Sequence, residues 1–353
     1  MKITKVCNIA LPLALLASAY SISAATIQTS TFAIGGSRSG PDSITSDSTS
    51  IYVEYSNGAS STGGRGSSTI VRYGFDGSVL NSYSIPGSVD GLKFNTFSNQ
   101  LWALQNQDGN STVTVINPSN GAQTFLTYAS TPANAITTAG NGFDDAVFTS
   151  ATGAYLSRTN PRGDSNAATI VFSSLSGNIL NLSPVLLYGA APALMNDPDS
   201  LKQDQNGNLV LSSGDDGATI RVQNPGVSQI VTSLQLTDLS GAAVGGLDDT
   251  AFTNATNGTL LVTDTPNNVV QALYITGLTG TTEFASIGSL NSVGIVNQST
   301  GAVSPIGSFA SNAAPHGLLF FPNVNVTATP EPATALFALG GLGAITLLRR
   351  RRK

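Results

Sequence analysis

A chain of 353 residues with 37 glycines and only 10% Asp, Glu, Lys and Arg has room for one large all-β domain or two ordinary ones. Apolar residues recur in strand-length clusters among abundant Thr, Ser, Asn and Val, which excludes a disordered composition and suits β-structure with polar turns. Seven of the 15 basic residues lie in the two termini, against only Glu331 of the 20 acidic ones, so the body carries a charge near −11, which excludes nucleic acid and anionic membrane as partners.

Residues 1–25 have the order of a secretory signal: Lys2 and Lys5, an apolar stretch from Ile9 to Leu16, then Ser23-Ala24-Ala25 as a small-residue cleavage site. The sole cysteine, Cys7, lies inside it, so the exported body, expected over 26–322, has no thiol or disulfide and depends on packing and sheet closure.

From there a short unit returns six times: Asp, or once His, a small or acidic residue, then an apolar strand that often ends in Phe. The copies start at Asp42-Ser43-Ile44, Asp90-Gly91-Leu92-Lys93-Phe94, Asp144-Asp145-Ala146-Val147-Phe148, Asp199-Ser200-Leu201, Asp248-Asp249-Thr250-Ala251-Phe252 and His316-Gly317-Leu318-Leu319-Phe320. Their first residues are 48, 54, 55, 49 and 68 positions apart. A period near fifty, filled with short strands and glycine turns, is the pattern of a β-propeller, whose sheets hide their faces only by stacking around an axis. The sequence reads as an all-β, six-bladed β-propeller, with seven blades as the alternative.

In chain order, Thr26–Ile34 is a strand left over from the blades, and Ile51–Tyr55 alternates with period two. Thr69–Phe75 and Val79–Ile85 form a hairpin across Asp76-Gly77. The second blade is Leu92–Phe94, Leu101–Leu104, Thr112–Ile116 and Thr124–Tyr128; in the third, Ala154–Leu156, Ala168–Phe172 and Val185–Tyr188 follow the opening strand. The loops 60–67 and 158–166 join second and third strands and should project from one face. Blade four runs on through Asn208–Leu211 and Thr219–Val222, and the glycine-rich 236–246 is a loop rather than a helix. Blade five is expected to hold Leu260–Thr263, Val269–Ile275 and Glu283–Ile287. The last interval leaves three strands, 293–296, 302–306 and 318–321, which the N-terminal strand would complete, closing the ring and removing its exposed edges. That pairing puts His316 on a later strand of its blade, although its context resembles a first strand.

The residues opening each innermost strand meet at one mouth of the channel. Asp42, Asp90, Asp144, Asp199 and Asp248 would form a carboxylate ring, with Asp145, Asp249 and His316 beside it. Two roles are open. Such a ring favours a hard cation such as calcium, with Asp144 and Asp248 singled out as ligands. Alternatively, each Asp accepts backbone amides and holds the junction between blades; repetition favours this, since a structural device is needed in every blade and a site only once. Asp204-Gln205-Asn206-Gly207-Asn208 resembles the front of a calcium loop but lacks the closing Glu, and reads as a turn. His316, the sole histidine, has the ordinary pKa of a general base, but one His without cysteine excludes a standard zinc site. Trp102 with Tyr52, Tyr55, Tyr73 and Tyr83 offers either carbohydrate-facing aromatic surface or packing between blades, packing being favoured inside strands. Serine-nucleophile and phosphate-loop signatures are absent from the sequence.

The C-terminus reads Thr329-Pro330-Glu331-Pro332-Ala333, a 17-residue uncharged run from Pro332 to Leu348, then Arg349-Arg350-Arg351-Arg352-Lys353. Residues 323–331 act as a linker, and 332–353 as a single transmembrane sorting helix with a basic tail on the cytoplasmic side. This order resembles the PEP-CTERM sorting signal of Gram-negative bacteria. The resemblance implies recognition by export and sorting machinery, transient anchoring in the inner membrane, and delivery to the cell surface or extracellular matrix, often beside exopolysaccharide. The Pro-Asp-Ser and Val-Asp-Gly openings of the repeats look like the six-bladed propellers of the NHL, gluconolactonase and streptogramin-lyase-like superfamily. In its lactonase group that resemblance implies a divalent cation held by a Glu with Asn and Asp residues, and in its lyase-like branch a catalytic histidine. Here Glu54 lies mid-strand and Glu283 late in the chain. The function expected is a surface- or matrix-associated binding or structural module, with extracellular polysaccharide as a partner; the alternative is a divalent-cation-dependent lactonase or hydrolase working at the Asp-lined mouth.

Overall fold

The computed structural model describes residues 25–129, 142–159, 168–188, 195–307 and 309–326. The signal-like segment, most of the loop 158–166, and the Pro-Glu-Pro and basic-tail residues lie outside them. The chain begins with β1 (Thr26–Ile34) and then lays down four units of four antiparallel strands each. Unit one is β2 (Pro41–Ser46), β3 (Ile51–Tyr55), β4 (Ser67–Tyr73) and β5 (Val79–Pro86). Unit two is β6 (Val89–Asn95), β7 (Gln100–Gln105), β8 (Thr112–Ile116) and β9 (Gln123–Tyr128). Unit three is β10 (Phe143–Phe148), β11 (Gly153–Arg158), β12 (Ala168–Ser176) and β13 (Ile179–Leu187), and unit four is β14 (Pro198–Gln203), β15 (Leu209–Ser213), β16 (Ala218–Gln223) and β17 (Ile230–Gln235). The outer strands β9 and β13 pair in parallel through Ile179–Thr127 and Leu180–Tyr128, joining units two and three into one eight-stranded sheet.

The remaining strands are β18 (Leu247–Thr253), β19 (Asn257–Asp264), β20 (Val269–Thr276), β21 (Thr282–Ile287), β22 (Ser292–Val296), β23 (Val303–Ile306) and β24 (Pro315–Pro322), and here the chain order breaks. One sheet runs β18-β21-β22-β23 and the other β24-β19-β20-β1. The hairpin β19–β20 therefore belongs to the last unit, which corrects its expected place in blade five with Glu283–Ile287. The N-terminal strand does complete the last unit, but on β20, from Thr26–Thr276 to Ile34–Val269, and not beside the strands at 293–296 and 302–306. His316 accordingly opens β24, an innermost strand, as its local sequence suggests.

Strands β2, β6, β10, β14, β18 and β24 touch one another in sequence, and β24 touches β2, so the innermost strands form a closed ring. Burial follows position in the unit. Every residue of β3, whose two faces meet neighbouring units, is buried, whereas β5 exposes most of one face to solvent. Six apolar clusters each fill one junction between units; the cluster of Phe32, Ile44, Val53, Val71, Leu261 and Phe321 joins the last unit to the first. At about 1.5–3 kcal/mol for each fully buried apolar side chain, that layer is what closure adds. Trp102, Tyr52, Tyr55, Tyr73 and Tyr83 are all buried in these junctions, which rules out the carbohydrate-facing reading for them. The segment 236–246 is a loop, pinned by a bridge between Thr237 and Ala243.

Candidate functional site: an acidic channel mouth over a lysine floor

Each innermost strand slips register where its repeat begins: between Pro41 and Ile44, Val89 and Gly91, Phe143 and Asp145, Pro198 and Leu201, Leu247 and Thr250, and at Pro315–Leu318 opposite β19. A bulge re-aims the side chain at the irregularity. Here it brings Asp42, Asp90, Asp144, Asp199, Asp248 and His316 to one cavity of about 200 Å³. The backbone is crowded at this level. A Cβ on Gly91 would lie 2.0 Å from the carbonyl oxygen of Asp144, and one on Gly317 2.5 Å from that of Asp42. Glycine fits there because the next unit's carbonyl passes through the space.

A hydroxyl on the second strand fastens neighbouring units at this level. Ser212 Oγ accepts the Ser200 N–H at 2.8 Å and donates to the Asp248 carbonyl at 2.6 Å. Thr263 Oγ1 accepts from Gly317 N–H at 2.7 Å and donates to the Asp42 carbonyl at 2.5 Å. Ser157 does the same between Asp145 N–H and the Asp199 carbonyl. Junctions between units are thus held by the backbone of the ring residues, which leaves their carboxylates to the cavity.

The six ring residues divide into two halves. His316 Nδ1 lies 2.9 Å from Asp42 Oδ1 and 2.5 Å from Asp248 Oδ2. These atoms lie within 4.8 Å of one another, close enough to hold a metal ion. However, Asp248, against the opposing effect of burial, and then Asp42 raise the imidazole to about 12, so a proton already sits between the carboxylates. Burial pushes Asp248 up even against the pull of this imidazolium. Among the described residues Asp90, Asp144 and Asp199, in the other half, form no ion pair of this kind. Burial first and Asp42 second push Asp90 well above the usual carboxylate range; burial and Asp90 do so for Asp144, which accepts a hydrogen bond from Thr159; burial and Asp248 do so for Asp199. Among the described residues Asp90 Oδ2 is buried with no hydrogen-bond partner, while Gln107 and Ser88 pull the carboxyl down against its burial.

Asp145 and Asp249 leave the ring and point one level deeper. Asp145 accepts the N–H groups of Ala146 at 2.8 Å and Leu201 at 3.0 Å; Asp249 accepts those of Thr250 and Leu318, both at 2.7 Å. The role of gripping the next unit's backbone through a carboxylate falls to these two alone among the predicted aspartates. They also carry the residues that the sequence reading missed. Lys93 Nζ lies 3.0 Å from Asp145, and Lys202 Nζ 2.9 Å from Asp249 and 3.8 Å from Asp145. The lysines also border a second space of about 210 Å³ near Thr45, Phe252 and Phe320, so this ion-paired layer floors the acidic cavity. The signal was present: units two and four carry Lys three positions after the first Asp, and units three and five carry a second Asp immediately after it.

Away from the channel, Asp204 Oδ1 accepts from the N–H groups of Asn206 and Asn208, and its Oδ2 lies 3.2 Å from Arg221, so 204–208 is a closed turn. Among the described residues the polar lining of the cavity is aspartates, Lys93, Lys202, Ser43, Ser200, Gln107 and His316, with no Glu or Asn. The Glu-with-Asn set of the lactonase group is therefore not reproduced, although an all-oxygen donor set suited to a hard cation is. Glu54 stands on β3 at the register position that Ser157 and Ser212 hold in their units, wholly buried, its carboxyl pushed well up by burial and by Asp42.

Residues 328–353 match the PEP-CTERM protein-sorting motif, which marks the chain as a substrate of that machinery and as an exported protein with a C-terminal anchor. No curated protein sequence matches the chain. Among solved structures, a putative gluconolactonase superposes over 84% of this chain and 86% of its own length at 13% identity, with a TM-score of 0.52. A protein of unknown function from Bacteroides caccae covers 80% and 86% at 12% identity and TM-score 0.49. A catalytically inactive virginiamycin B lyase from Staphylococcus aureus, crystallised with quinupristin, covers 84% and 81% at 14% identity and TM-score 0.45. At 13% identity the likeness to the first of these shows a shared propeller-like fold.

Proposed function

We propose that this is an exported, surface- or matrix-associated six-bladed propeller that acts as a binding module, and that its acidic mouth takes a hard divalent cation, calcium, on the side of Asp90, Asp144 and Asp199, whose carboxylate oxygens are not all within 4.8 Å of one another and would draw in around the ion. The observation that carries the reading is a cavity wall with three carboxyls, Asp90, Asp144 and Asp199, whose ionisation is opposed by burial and neighbouring charge, Asp90 Oδ2 being buried without a partner among the described residues. A divalent cation would supply the missing charge and accept oxygen ligands only. The ligands differ from the Asp144–Asp248 pair expected from sequence because Asp248 is already paired with the His316 imidazolium. That same imidazolium, protonated and held by two carboxylates, is unsuited to act as a general base, which favours binding over lactone hydrolysis.

Calorimetric titration of calcium into the metal-stripped protein tests this. Wild type should bind saturably, and at a hundredfold excess over Kd the ion should add about 2.7 kcal/mol of stability. Asp144→Asn with Asp199→Asn should abolish binding while leaving the calcium-free protein at least as stable. Absence of binding in wild type, or unchanged binding in the double variant, would overturn the assignment. Lactone turnover that follows calcium occupancy would favour the hydrolase instead.

A further inference from the structure

The chain has five lysines; Lys2, Lys5 and Lys353 belong to the termini, and the body keeps only Lys93 and Lys202. A protein that places no lysine on the solvent-exposed body yet places two in its channel is not using them for solubility. They stand on β6 and β14, on either side of β10, whose Asp145 lies 3.0 Å from one Nζ and 3.8 Å from the other. Lys202 holds a second carboxylate, Asp249 on β18, at 2.9 Å, which Lys93 does not. The pair is thus built unequally: two carboxylates converge on Lys202 and one on Lys93. Both amines border the cavity that also presents Asp90, Asp144 and Asp199.

From this geometry we infer that Lys93 is a reactive amine, and that the channel captures small neutral aldehydes or ketones as a covalent imine. Anionic carbonyl compounds are disfavoured by the charge of the body, near −11. The groups facing Lys93 are Asp145, Lys202 and Asp249, and their combined effect supports the assignment. Burial first, with Lys202 adding to it against the pull of Asp145 and Asp249, holds Lys93 down at about 8. Burial alone would also depress Lys202, but Asp249 and Asp145 outweigh it and keep that ammonium above its usual value. An amine desolvated beside a second cation is the arrangement that frees a lysine lone pair at neutral pH.

The step balances within the cavity. The Lys93 lone pair attacks the carbonyl carbon, a C–N bond forms, and the π pair moves to oxygen, which takes a proton from solvent water. The nitrogen then gives one proton to the hydroxide so formed and loses a second as water departs with the oxygen, leaving the imine. No oxidant or reductant is consumed. Trapping adds one: cyanoborohydride delivers hydride to the carbon of the protonated imine, and the product is an alkyl-lysine, which with glycolaldehyde is a hydroxyethyl-lysine.

The test is to treat the metal-stripped protein with glycolaldehyde and cyanoborohydride at pH 7, with Nα-acetyl-lysine in the same tube as an ordinary amine, and to quantify each adduct by peptide mass spectrometry. Lys93 should gain its first hydroxyethyl group at least tenfold faster than the free amine, since its unprotonated fraction at pH 7 is roughly two hundredfold larger and lower basicity and access take back part of that advantage. Lys202 should be slower than the free amine, and the Lys93 rate should rise with a midpoint near pH 8. In Lys202→Met the midpoint should move upward. Lys93 reacting no faster than the free amine, or both lysines equally protected, would show an ion-paired plug and overturn the proposal. The readout involves no calcium, so it stands or falls separately from the cation site.

Discussion

Ser212 shows what one atom does at a junction. Its Oγ is the partner of the Ser200 N–H and of the Asp248 carbonyl, in a position with no solvent access to replace it. Ser212→Ala leaves both groups buried and unpaired, which costs about 1–3 kcal/mol. Urea denaturation should show that loss as a lower midpoint with an unchanged slope. Asp145 and Asp249 were legible in the sequence as doubled aspartates, but their direction was not. Adjacent residues on a strand face opposite ways only until a bulge intervenes, and the bulge is a property of the pairing register rather than of either residue. Lys93 lies inside its repeat at a strand position, where a single lysine ordinarily reaches solvent; only the alternation of lysine and second aspartate around the ring marks it.

At the scale of elements, the six repeats announced six innermost strands, and the unpaired N-terminal strand announced closure. The partners were less legible. A hairpin such as β19–β20, joined by the turn after Asp264, has the same local sequence whichever innermost strand it adjoins. The decision is made by β18 pairing with β21, Thr253 against Thr282, across an intervening hairpin, and nothing local encodes that. β1 covers the whole edge of β20 and contributes Phe32 and Ala33 to the closing cluster. Deleting residues 26–34 should expose that edge as a template for other chains. Size-exclusion chromatography should then show larger species than the intact protein forms.

For the whole molecule, the balance of buried charge sets an unusual pH response. Burial raises Asp90, Asp144, Asp199 and Glu54, so the folded chain keeps protons that the unfolded chain releases above about pH 4. Their stabilisation is complete below that value and is lost as pH rises toward the folded values. His316 acts in the same direction: held at about 12, it contributes fully below its ordinary range near 6.5 and fades as pH rises. Lys93, held at about 8, opposes the trend only above that pH. Stability should therefore be greater at pH 5.5 than at pH 8, read as the urea midpoint at each pH. Glu54→Gln should flatten the slope, and saturating calcium should flatten it further at the alkaline end. A midpoint that rises with pH would mean that the carboxyls are compensated by partners.

The exchange of strands between the last two units also dictates when the molecule can fold. Thr26 must find Thr276, and β24 must reach back to β19 and to the first unit, so the ring holds contacts of very long sequence separation and few shortcuts. Topologies of this kind fold slowly, because loop closure precedes the contacts that reward it. The last strand ends at Pro322, and the sorting motif begins at residue 328. A chain that still lacks β24 cannot complete the ring, so closure waits until the residues up to Pro322 are available. The last strand is the lock, and it stands immediately ahead of the sorting motif.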